Sequence, residues 1–224
     1  MNITELDQKL AEGVHDPHIF KAIFMAGSPG AGKTTIRNKL FGGTGLRVLD
    51  VDDFWKLYNK QNKDQDYLRF FDMAIKRKDN YIQGRLGLIL DGTARDLSKI
   101  AASKHELENL GYDTAMVFVN TNLETAIDRA QLRGQQTGRF IKPSDIKTFW
   151  HLVQNNLGSL QNMFSENFLI VDNNDQHPDL TYADKALRRF LAKPPTHSAA
   201  REWIQLNNRQ DKEDSSILPV YADR

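Results

Sequence analysis

The stretch AIFMAGSPGAGKTTIRNKL, residues 22–40, joins an apolar run to a glycine-rich turn, a lysine, two threonines and an amphipathic segment. Residues 21–26 (KAIFMA) have the near-continuous apolar character of a strand buried on both faces, and residues 33–41 carry the spacing of a helix. Between them Gly27, Ser28, Pro29, Gly30, Ala31, Gly32, Lys33 and Thr34 satisfy the Walker A pattern G-x-x-x-x-G-K-[ST], in the strand–turn–helix setting that the pattern requires. Its glycines let successive backbone N–H groups converge on one concavity, and the following helix adds the positive end of its dipole. Lys33 can reach the β- and γ-phosphates of a nucleoside triphosphate, and the Thr34 hydroxyl can join an Mg²⁺ shell, with Thr35 next in the same phosphate-binding segment.

The alternation continues outward from this stretch. Strands are expected at 46–51 (LRVLDV), 86–91 (LGLILD), 114–119 (TAMVFV) and 168–172 (FLIVD), with helices at roughly 64–84, 96–110, 123–133, 144–163 and 179–192. Apolar strands separated by helices predict a five-stranded parallel sheet covered on both faces, a three-layer α/β/α arrangement whose ligands bind beyond the carboxyl ends of the strands. The domain is expected to span 1–192, with an acceptor-side helical segment at about 56–85 and a lid at about 134–143. Residues 193–224 open with KPP, turn polar and read as a C-terminal extension that Trp203 could anchor.

Chemistry-bearing residues fall at the expected sheet edge. In VLDVDDFWKLY a strand ending at Val51 would stand Asp52 beside the phosphate loop, where a carboxylate can take a proton from an attacking hydroxyl, while Asp53 suits a cap. In LILDGTARDLSKI, Asp91 can order Mg²⁺ through water or grip acceptor hydroxyls, and Thr93 and Arg95 can hold a polar acceptor. The competing reading is local turn chemistry at Asp-Gly, with Asp96 capping the next helix. In RAQLRGQQTGRFIKPSDI, Arg129 and Arg133 share a helix face, Gly134 is expected to end that helix, and Arg139 follows Gly138 before Pro143 restarts helix. Arg133 and Arg139 are candidate clamps for charge on a transferring phosphoryl group. Phe70, Phe71, Ile75 and Ile82 can form a buried stripe, with Lys76, Arg77 and Lys78 either a solvated face or the lining of a groove for a nucleic-acid or nucleotide-sugar acceptor. Asn173 and Asn174 lie at another strand end, either in an ordinary Asn-rich turn or near a bound base.

Composition limits the partners. With 30 basic and 29 acidic groups the formal charge is +1, so no global positive field gathers nucleic acid. The absence of cysteine excludes disulfides and thiolate metal sites. No signal pattern opens the chain and its apolar runs are too short to span a bilayer, so a soluble, cytoplasmic protein without membrane contact is the expectation.

Taken together, GSPGAGKTT, LDVDDF, LDGTARD and LRGQQTGRFIKP resemble the zeta-toxin and polynucleotide-kinase-like group of P-loop kinases, over about residues 20 to 190 and most closely in the zeta-toxin branch. The resemblance implies a P-loop kinase fold and transfer of the ATP γ-phosphate to a hydroxyl: of a nucleotide sugar such as UDP-N-acetylglucosamine in zeta toxins, of a 5′ end of DNA or RNA in the polynucleotide kinases. It also implies Asp52 as base, Arg133 and Arg139 as lid arginines, and an acid-Gly-Thr-x-Arg signature at Asp91, Gly92, Thr93, Ala94 and Arg95, with aspartate where glutamate is usual. Trp55 stands where both branches commonly carry an arginine against the acceptor; an indole stacks on rings but neutralises no phosphate. Three classes stay open at this stage: a small-molecule kinase, a polynucleotide 5′-kinase, and a nucleotide-binding switch or structural protein without transfer. An inhibitory protein partner is compatible with the chain and unsupported by any of these motifs.

Overall fold

The computed structural model describes residues 13–49, 67–138, 140–175 and 177–217, and the side chains among them except those of 67–74 and 209–217. Five strands, β1 (Lys21–Ala26), β2 (Arg47–Leu49), β3 (Leu88–Asp91), β4 (Asp113–Asn120) and β5 (Phe168–Asp172), form one sheet in the order β2-β3-β1-β4-β5. Every pairing is parallel, with Met25 beside both Asp91 and Val117. The helices are α1 (Lys33–Phe41), α2 (Tyr67–Gln83), α3 (Leu97–Asn109), α4 (Leu123–Thr137), α5 (Pro143–Asn155), α6 (Leu157–Phe164), α7 (Thr181–Ala192) and α8 (Ser198–Ile217).

The two faces of the sheet build two cores, because alternate strand residues point to opposite sides. Ile23 and Met25 of β1 and Val117 and Val119 of β4 pack with Ile36 and Leu40 of α1 and Leu187 and Phe190 of α7. Phe24, Met116 and Phe118 face the other way, onto Leu107 of α3, Val153 of α5 and Leu160 and Phe164 of α6. Both faces are therefore covered by helices, as the apolar runs predict, and this is the P-loop kinase arrangement. No described helix is long and apolar enough to cross a membrane.

Two helix boundaries and one apolar stripe differ from the expectation. Gly134 does not end α4: it is buried in line with Ala126 and Ala130, a row of small residues at four-residue spacing on the helix that packs against Ile146 and Trp150 of α5. The helix ends at Gly138 instead, whose φ of 74° is left-handed and whose N–H donates to the Gly134 carbonyl, so residues 134–137 of the expected lid are helical. The single helix expected over 144–163 is interrupted at Asn156, whose side chain is drawn to the loop after β3. Of the stripe expected on α2, Ile82 is buried and Ile75 is 44% exposed, while the side chains of Phe70 and Phe71 lie outside those described.

The extension beyond residue 193 is held against the base of the sheet. Thr196 N–H and Oγ1 both donate to Asp113 at the start of β4, Ala200 is fully buried, and Trp203 packs edge-on to Phe20 with ring centroids 5.6 Å apart.

Candidate active site

The carboxyl end of β1 turns into the loop that the Walker A pattern specifies. Gly32, the N-cap of α1, has φ 86°, no side chain caps the helix and no acid sits in its first turn. The orphan N–H groups of that turn are thus left for an anion. Gly32 is required twice over: its φ is strained for any residue with a Cβ, and a Cβ there would come 2.3 Å from Asn173 Nδ2. Asn173, buried after β5, donates that Nδ2 to the Ala31 carbonyl at 2.7 Å and so braces the loop from behind. Lys33 Nζ folds back over the loop and donates to the Gly27 and Ser28 carbonyls at 2.8 and 3.2 Å.

The loop after β3 lies alongside because β3 is the neighbour of β1. Gly92 N–H donates to the Met25 carbonyl at 3.2 Å and Gly27 N–H to that of Thr93 at 3.4 Å, which ties the two loops together. Asp91 is held by Arg37 of α1: Arg37 Nη1 donates to Asp91 Oδ2 at 2.8 Å, with the side chains 9% and 6% exposed. A carboxylate engaged by a guanidinium is a weaker candidate for ordering Mg²⁺ than for gripping a neutral hydroxyl. Asp96 takes the capping role that was its alternative reading. Ser98 Oγ donates to its carboxylate at 2.6 Å and Lys99 N–H at 3.2 Å, and these bonds hold it below the usual carboxylate range.

A cavity of about 550 Å³ opens between the two loops. Pro29, Gly30, Gly32, Lys33, Thr34 and Thr35 line one side; Asp91, Gly92, Thr93, Arg95 and Phe149 line the other. Arg129, Arg133 and Ile141 complete the described lining. Arg129 is not a loose cation: its guanidinium donates to the Asn173 carbonyl at 2.6 Å and, at longer range, to those of Asn174 and Asp175, joining α4 to the loop after β5. Arg133, one turn on, is exposed at the cavity mouth. Gly27, Ser28 and Ala31 form the buried back of the phosphate loop. Asp52, Asp53, Trp55 and Arg139 lie outside the described residues.

The zeta-toxin family model matches residues 5–181. The chain belongs to the zeta-toxin family. It is also 30% identical over 116 residues to a protein of Methanocaldococcus jannaschii described as a candidate adenylate kinase, a match taking in 46% of this chain and 66% of that protein's length. Among solved structures, a candidate kinase from Chloroflexus aurantiacus superposes with a TM-score of 0.56 at 17% identity, covering 76% of this chain and 98% of that one. The AvrRxo1-ORF1:ORF2 complex with ATP gives a TM-score of 0.55 at 13% identity, over 87% of this chain and 73% of that one. These two likenesses are of fold.

The residues present fit a triphosphate: an uncapped helix start, a glycine-lined concavity and a lysine share one cavity. Thr34, exposed in the first turn of α1, offers a hard oxygen of the kind Mg²⁺ takes. Four residues now stand out that no motif marked. Arg37 was findable, since it lies four residues after Lys33 on the same helix face. Phe149 and Asn156 left no signal, because an aromatic and an amide on an amphipathic helix read as core and surface. Asn173 stood out only for its place at a strand end, as a turn residue or a neighbour of a bound base, and not as the brace of the phosphate loop.

Proposed function

We propose that this protein moves the γ-phosphate of ATP onto a hydroxyl of a small-molecule acceptor, with a nucleotide sugar such as UDP-N-acetylglucosamine as the acceptor class to test first. One observation carries the reading: a single cavity joins the phosphate loop, with Lys33 and Thr34, to an acceptor-side wall of Asp91, Thr93 and Arg95. A protein that only binds or hydrolyses a nucleotide has no need of that wall.

In this reading Lys33 exchanges the Gly27 and Ser28 carbonyls for phosphate oxygens, and Thr34 would hold Mg²⁺, which would spread the phosphate charge. Asp91, fixed by Arg37, and Thr93 hold hydroxyls of the acceptor. The acceptor oxygen forms its bond to the γ-phosphorus as the bond from that phosphorus to the bridging oxygen breaks, ADP leaves, and the hydroxyl proton passes to Asp52. Arg133, with Arg139, neutralises charge on the moving group, and Trp55 stacks on the acceptor. The roles of Asp52, Arg139 and Trp55 rest on the sequence and the resemblance.

Nucleic acid is the weaker acceptor. Of the basic run on α2, Lys78 is paired with Glu106 at 3.1 Å and Arg77 Nε donates to Tyr81 Oη at 2.7 Å, so the run is no bare phosphate-tracking strip. The test is γ-labelled ATP offered separately with nucleotide sugars, nucleosides and 5′-hydroxyl oligonucleotides. The expected result is label in a nucleotide sugar, lost by about a hundredfold or more in Asp52→Asn. Label in the oligonucleotide alone would move the assignment to a polynucleotide kinase. Label in no acceptor, with ATP turnover unchanged in Asp52→Asn, would leave a nucleotide-binding switch.

A further inference from the structure

Arg95 differs from the other arginines of this region in how it is held. Arg37 Nη1 donates to Asp91, and Arg129 donates to carbonyls of the loop after β5. The guanidinium of Arg95 instead lies over the ring of Phe149, 4.6 Å from its centroid. Among the described residues its side chain makes no hydrogen bond or ion pair. The difference matters because all five guanidinium donors lie in its plane, whereas an aromatic ring holds the face. Stacking therefore restrains the group while leaving every N–H for a ligand, which a carboxylate partner could not do.

The backbone beneath it is held by the same helical segment. Ala94, 5% exposed, has φ 56°, a left-handed conformation that costs a residue with a Cβ and persists only where neighbours impose it. Asn156 supplies that constraint: its Nδ2 donates to the carbonyls of Ala94 and Arg95 at 3.1 and 3.0 Å. Phe149 and Asn156 are seven residues apart, two helical turns, so one face of one segment grips both ends of Arg95.

We infer that Phe149 is a positioning residue for Arg95, setting the plane in which its guanidinium meets the acceptor, with Asn156 fixing the backbone that carries it. This rests on the phosphotransferase reading for its consequence, though the stack can be tested without it. Phe149 is half-buried at the cavity, so Phe149→Leu keeps most of the packing and removes the π face, while Phe149→Tyr keeps both.

The test uses the full chain and two measurements. In ¹⁵N-labelled protein without ligand, the Arg95 Nε–H resonance, assigned by its loss in Arg95→Lys, should be displaced by the Phe149 ring current. That displacement should vanish in Phe149→Leu and persist in Phe149→Tyr. With whichever acceptor gains label from ATP, Phe149→Leu should raise the acceptor KM about three- to tenfold, leave the KM for ATP unchanged, and be rescued by Phe149→Tyr. An undisplaced resonance, or an acceptor KM unmoved by Phe149→Leu, overturns the inference while transfer itself stands. Absence of transfer to any acceptor overturns the phosphotransferase reading and this role with it, while the resonance still reports the stack.

Discussion

Lys33 and Arg37 sit one turn apart on α1 and make opposite kinds of contact. Lys33 donates to the Gly27 and Ser28 carbonyls, groups that a phosphate can replace; Lys33→Ala should cut turnover by at least about a hundredfold, measured as kcat on labelled ATP, with little change in melting temperature. Arg37 holds a carboxylate that is only 6% exposed, and removing it leaves a charge in a poorly solvated place. Arg37→Met should therefore cost about 3 kcal/mol in urea unfolding, and adding Asp91→Asn should recover part of it by removing the charge that Arg37 faces. The Walker A lysine was legible from seven neighbours. Arg37 was not marked, because its partner is 54 positions away and only the β1–β3 pairing brings them together.

At the scale of elements, caps and packing rows decided what propensity could not. Asp96 begins α3 and is held below its ordinary range by the Ser98 hydroxyl and the Lys99 N–H. Its folded pKa is depressed, so its stabilisation is present above the unfolded value and is lost as pH falls through the folded one. Asp96→Ala should lower the melting temperature near neutral pH, and the gap from the parent should hold down to about pH 4 and narrow only below it. Helices expected at about 33–41, 96–110 and 179–192 are present, at Lys33–Phe41, Leu97–Asn109 and Thr181–Ala192. A helix end was misjudged at Gly134, because glycine signals an end only where its backbone is free to turn. Here Gly134 is buried in line with Ala126 and Ala130, on the helix that packs against α5.

For the whole molecule, the base of the sheet is stapled by charge as well as by rings. Lys21 Nζ lies 2.6 Å from Asp113, with side chains 2% and 8% exposed, and the same carboxylate receives Thr196 from the extension. Asp113→Ala should cost about 3–5 kcal/mol in chemical denaturation by stranding the Lys21 ammonium. Nearby, Tyr112 donates to the Leu86 carbonyl at 3.2 Å, and burial pushes its phenol well above the usual range, so it remains a donor throughout ordinary pH. Trp203→Ala should loosen the extension without unfolding the kinase domain: limited proteolysis should cut within 193–217 sooner while the remainder resists.

From residue order alone came the phosphate loop, the alternation of buried strands with helices, and hence a parallel sheet with its site at one edge. All of these are local or periodic properties that neighbouring residues impose on one another. Tertiary structure alone decided that Asp91 is paired with Arg37, that Arg129 is tied to the loop after β5, and that Arg95 lies on Phe149. Each of those contacts joins groups more than 40 positions apart, and strand order, which no local pattern encodes, is what brings them within reach.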